Sequence, residues 1–111
     1  MDPTPPVRLL RGTELRYMLT RMLQLGGPST VAELAAELER FGFGVSGRPS
    51  KTISDALRWE IRRDRVRRRG RGMYQQGAVP RSTSYRIIRR VIALHDEVLS
   101  LRGEHRPLFP D

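Results

Sequence analysis

The sequence predicts a mainly α fold with one small β-hairpin, closed by a long C-terminal helix. Three observations carry that expectation. Apolar residues recur at helical spacing in four separate segments. The run RVRRRGRGMYQQ reads as two short strands around a glycine-marked turn. Charge is also localised: Arg48 to Arg90 holds fourteen Lys/Arg against three Asp/Glu, whereas residues 1–47 hold five of each sign.

At 111 residues the chain suits one small domain with a single core. A net charge of +9 makes polyanions the partner class to expect, and its clustering gives it a direction. Cysteine is absent, which excludes disulfides, thiolate nucleophiles and cysteine-based zinc sites. No apolar run reaches the roughly 20 residues of a membrane span. The N-terminus lacks the basic-then-apolar order of a secretory signal, so a cytoplasmic, nucleoid-associated location is expected. Lys51 is the only lysine, an arginine bias that GC-rich codon usage would explain, as would selection for the planar guanidinium, the former being preferred.

In chain order, residues 1–11 read as a flexible tail, because Pro3, Pro5 and Pro6 block helix and ladder alike. Residues 12–77 form the expected domain. Thr13 is the expected cap of a helix ending near Leu25, with Leu15, Met18, Leu19, Met22 and Leu23 on its apolar stripe. Gly26-Gly27-Pro28 stops it. Thr30 and Glu33 fit a capping box for a second helix whose buried stripe is Val31, Leu34, Ala35, Leu38 and Phe41. Gly42 ends that helix, and Phe43 and Val45 are expected to plug the core.

A third helix begins at Pro49 or Ser50 and ends near Asp64. On a helical wheel Ile53, Ala56, Leu57 and Ile61 share an apolar arc. Lys51, Asp55, Arg58 and Arg62 lie on the opposite arc, with Trp59 towards its edge as a core or interface residue. Two strands follow, about Val66 to Arg69 and Met73 to Gln75. A two-residue loop would pair Arg67 with Tyr74. A three-residue Gly-Arg-Gly loop pairs Arg68 with Tyr74 and Arg69 with Met73. The latter is preferred, because it sets Val66 and Tyr74 on one face, with Gly72 left-handed.

After a linker from Gly77 to Arg81, Ser82 or Thr83 caps a last helix over residues 82–102. Ile87, Val91, Leu94, Val98 and Leu101 follow a 4, 3, 4, 3 heptad seam, flanked by Ile88, Ile92, His95 and Leu99. This seam is expected to join two copies, folding back on its own domain being the alternative. Residues 103–111 read as a tail in which Leu108 and Phe109 could dock.

The order helix, helix, longer turn, helix, basic strand pair, helix resembles the winged helix-turn-helix domains of bacterial transcription regulators. The likeness spans about Leu15 to Gln76 and is most specific in SDALRWEIRRDRVRRRGRGMYQQ. More distantly the chain looks like the HARE-type winged helix. It departs from compact helix-turn-helix motifs in the length of Gly42 to Pro49, where about 3–4 residues are usual. The resemblance implies a recognition helix in the major groove of double-stranded DNA, and a wing over phosphates or the minor groove.

The residues themselves agree with that expectation. Arg58 and Arg62, one turn apart, suit bidentate contacts to guanine. Arg48, Ser50, Lys51 and Thr52 lie near the helix start, where backbone N–H groups and hydroxyls suit phosphate. Asp55 would accept from a cytosine amino group or orient Arg58 or Arg62. Arg67, Arg69 and Arg71 suit phosphate or minor-groove contacts. Arg63 and Arg65 near the helix end either join these contacts or merely complement the helix dipole.

The sequence therefore leads to a dimeric DNA-binding transcriptional regulator. The alternatives are a non-specific nucleoid-associated or RNA-binding protein, and a winged-helix protein-interaction module. No enzymatic constellation, metal site, cofactor motif or small-molecule ligand site is apparent. The GRG triplet lacks the following GK[ST] of a phosphate loop, His95 is on a helix without a ligand partner at helical spacing, and His105 is in the tail.

Overall fold

Strand β1 (Arg8–Leu10) leads into α1 (Gly12–Gly26), followed by β2 (Ser29–Thr30), α2 (Val31–Arg40), β3 (Phe43–Val45) and α3 (Pro49–Arg62). The hairpin strands β4 (Val66–Gly70) and β5 (Met73–Gln76) come next, then α4 (Arg81–Leu101). This computed structural model describes residues 6–103. It is mainly helical with a small antiparallel sheet in the order β2-β5-β4, and a separate parallel pair, β1 with β3.

Local chemistry explains most of the boundaries. The Thr30 side chain accepts from the Glu33 backbone while the Glu33 carboxylate accepts from the Thr30 backbone, so the expected capping box starts α2. Pro49 occupies the first turn of α3, where its missing N–H costs nothing. Gly27 ends α1 with φ 79° and its N–H on the Leu23 carbonyl. The core collects Leu15, Met18, Leu19 and Leu23 of α1, Leu34 and Leu38 of α2, and Ile53 and Leu57 of α3. Phe43, Val66, Tyr74 and the inner face of α4 complete it.

Several expectations are corrected. The tail expected over residues 1–11 contains β1, in register Arg8 to Phe43 and Leu10 to Val45, with Leu10 buried. The proline cluster stops at Pro6, which frees the backbone from Val7 onward to pair; residues 1–5 lie outside the described residues. Thr13 does not cap α1: Arg11 holds that position, and the Thr13 hydroxyl accepts from Arg16. Phe41 closes α2 as its C-cap and stays partly exposed. The segment between α2 and α3 is not a plain turn, because β3 sits in it. Ser82 and Thr83 lie inside α4, whose N-cap is Pro80.

The hairpin keeps the expected Arg68–Tyr74 pairing but not Arg69–Met73, since Met73 pairs with Gly70 and the register shifts between Arg68 and Gly70. A bulge at Arg69 absorbs the extra residue and leaves Arg71-Gly72 as the turn, Gly72 at φ 69°. Val66 and Tyr74 remain buried together, as the alternation requires.

The seam on α4 is also corrected. Ile87, Val91, Leu94 and Val98 are buried within this chain, packed with α1 in the shared core. Four of the five residues expected at a dimer interface are therefore covered internally, and Leu101 alone is exposed, at 57%. The expected docking of Leu108 and Phe109 lies outside the described residues.

Candidate nucleic-acid interface

α3 buries Ile53, Leu57 and Glu60 and turns its other side to solvent. Lys51, Asp55, Arg58 and Arg62 make a stripe there, spaced 4, 3, 4. Asp55 sits at its centre, 3.0 Å from Lys51 Nζ and 3.5 Å from Arg58. The Lys51 hydrogen bond holds the Asp55 carboxyl below the usual carboxylate range, aided by the Lys51 and Arg58 charges. Of the two arginines that Asp55 was expected to orient, it lies within ion-pair distance of Arg58. Arg62 instead lies over the Trp59 ring, 5.4 Å from its centroid.

Near the start of α3, Arg48 is the N-cap and no side chain caps the helix. Ser50 and Lys51 are exposed, whereas the Thr52 hydroxyl donates to the Ser46 carbonyl at 2.7 Å and so braces the preceding turn. Thr52 is thus partly committed inward, unlike its three neighbours in the expected phosphate-binding group.

Glu60 governs where the hairpin leaves α3. Its carboxylate is fully buried and accepts two hydrogen bonds from Arg65, at 2.6 and 2.8 Å. The Thr20 hydroxyl donates to it at 3.2 Å, and Arg16 Nε lies 3.4 Å away, both from α1. Arg65 is accordingly held in its charged form, mainly by the Glu60 hydrogen bonds. Its task is this pairing rather than the helix dipole. Sequence reasoning missed Glu60, although a helical wheel places it between Ala56 and Ile53 on the apolar arc. A carboxylate in that position needs partners, and that signal was available.

Beyond this pin, Asp64 takes φ 60°, and the chain turns back. Gly77 N–H donates to the Arg65 carbonyl and Ala78 N–H to the Asp64 carbonyl, each at 2.8 Å, tying the exit of β5 to the entry of β4. Arg67 forms a two-pronged pair with Asp64 at 2.9 and 3.0 Å, which lowers the Asp64 pKa and raises that of Arg67. Arg68 lies over the Tyr74 ring. Arg69 at the bulge and Arg71 at the turn are exposed, and among the described residues neither forms an ion pair, nor does Arg48.

The structure thus places all ten expected contact residues on α3, its N-cap or the hairpin that follows. Lys51, Asp55 and Arg58 form one cluster, Arg67 is paired with Asp64, and Arg48, Arg69 and Arg71 remain uncommitted. Comparison of the chain with protein-family models, curated proteins and solved structures found no match.

A second surface feature lies elsewhere. An apolar groove of about 630 Å³ runs between α1, α2 and α4, lined by Met18, Met22, Leu25, Phe41, Val91 and His95 among others. No residue of α3 or of the hairpin contributes to it. The His95 ring meets Phe41 and Phe43 edge-on at 5.2 and 5.3 Å. Among the described residues no helix is long and apolar enough to cross a membrane.

Proposed function

We propose that this chain is a DNA-binding protein of winged helix-turn-helix type, acting as a transcriptional regulator. In this reading α3 enters the major groove and the β4–β5 hairpin is the wing, lying on the backbone or in the minor groove. The observation that carries it is continuity. An exposed stripe of Lys51, Asp55, Arg58 and Arg62 leads, through a turn pinned by Glu60 and Arg65, into a hairpin that exposes Arg67, Arg69 and Arg71. The element order from α1 to β5 and the strand order β2-β5-β4 support the same reading.

Asp55 favours base reading over a purely electrostatic grip. A carboxylate in the middle of the stripe is repelled by phosphate, yet it can orient Arg58 towards guanine or accept from cytosine. Binding to a random duplex library, followed by sequencing of the retained fraction, tests the proposal. Enrichment of a defined site, with affinity falling roughly a thousandfold between about 50 and 200 mM salt, is the expected result. Equal retention of all duplexes would instead indicate a nucleoid-type binder, and no retention at low salt would reject DNA binding.

A further inference from the structure

α4 carries a second apolar stripe that its own domain leaves uncovered. Tyr85, Ile88, Ile92, His95 and Leu99 recur at intervals of 3, 4, 3 and 4, a heptad line beside the buried one. Tyr85 is 61% exposed and Ile92 56%, with Leu99 also open to solvent. His95 belongs both to this line and to the apolar groove, so the two surfaces are continuous. Exposed Leu25 and Phe41 extend the patch across that groove.

The charges beside the stripe choose its occupant. Arg89 precedes the midpoint of the line and Asp96 follows it, nearly equidistant from Ile92. Among the described residues neither has an ion-pair partner, whereas their neighbours Arg90 and Glu97 pair internally with Glu14 and Arg8. Arg89 and Asp96 lie on the same flank of the stripe, and a parallel copy of α4 would put the two copies' flanks on opposite edges, out of each other's reach. An antiparallel copy, related by a twofold axis near Ile92, sets each Arg89 beside the partner's Asp96. The same operation stacks Tyr85 on the partner's Leu99 and Ile92 on its own counterpart.

We propose that a second copy of this chain docks antiparallel on the Tyr85–Leu99 stripe, forming a twofold dimer. The stripe is self-complementary in apolar pattern and charge, which is the requirement of an isologous interface. It differs from the seam of Ile87, Val91, Leu94 and Val98, which is spent within the core. The proposal does not rest on DNA binding.

Sedimentation equilibrium of the full chain at micromolar concentration tests it. The wild type is expected to dimerise. Ile92→Asp is expected to be monomeric with an unchanged circular dichroism spectrum, since the residue is exposed and its loss spares the core. Arg89→Asp and Asp96→Arg should each weaken association by about tenfold, and the double variant should restore it. A wild type that stays monomeric would overturn the proposal, whatever else the groove binds. So would a dimer indifferent to Ile92→Asp, or charge reversals that fail to compensate.

Discussion

Arg65 clasps the fully buried carboxylate of Glu60 through two hydrogen bonds, across the turn that joins α3 to the hairpin. The same carboxylate receives Thr20 and Arg16 from α1, so one anion ties three elements together.

Removing that anion leaves two guanidinium groups with no counter-charge. Glu60→Ala is expected to cost about 3–5 kcal/mol, the range for breaking one side of a buried ion pair. Urea denaturation measures it. A loss below about 1 kcal/mol would mean that the network does not hold the turn.

Gly77 is fixed by space rather than by backbone angle. A Cβ there would stand 2.2 Å from the Asp64 carbonyl oxygen, a backbone atom that cannot swing away. Gly77→Ala should cost about 1–3 kcal/mol and speed hydrogen exchange at the amides of residues 77 and 78. Gly26→Ala, where the added carbon meets open space, serves as the control and should be close to neutral.

Stability should depend on pH through His95. Burial between α2 and α4 pushes its imidazole pKa below the ordinary value, with the Asp96 charge opposing. The unfolded chain binds the proton near pH 6.5, before the folded chain does. Stability is therefore complete above about pH 6.5 and declines as pH falls through the lower folded-state value. Melting temperatures should drop in that window for the wild type and stay flatter for His95→Gln. Parallel profiles for the two proteins would refute the assignment. Glu14, whose carboxyl is held low chiefly by the Arg8 hydrogen bonds, loses its contribution only at more acid pH.

The two classes of arginine should separate in binding. Arg58→Ala is expected to relax preference at one base position by on the order of tenfold. Arg71→Ala, at the hairpin turn, should weaken all duplexes alike and reduce the salt slope by about one. Selection profiles and salt titrations of both variants distinguish these effects. Identical losses would remove the division between reading and positioning.

Short-range chemistry was the legible part of this chain. The Thr30–Glu33 box and the Arg68–Tyr74 pairing each depend on neighbours a few residues apart, and both could be read directly. β1 and β3 could not, since three-residue strands without alternation carry no local signature and exist only through each other. Glu60 was visible as an anomaly on an apolar arc, but its partners lie 40 and 44 positions away on α1, at Thr20 and Arg16. The breadth of the apolar face on α4 was equally plain. Which half of it the domain buries depends on the position of α1, a tertiary outcome that periodicity does not encode.

The Arg8 guanidinium, near the beginning of the described chain, donates to Glu97, 89 positions later. That contact turns almost the whole polypeptide into one closed ring. Ring closure over so long a span is entropically demanding, and long-range contacts form slowly. During synthesis on a ribosome, β1 can pair with β3 well before α4 is made, whereas the Arg8–Glu97 contact has to wait for Glu97 to emerge.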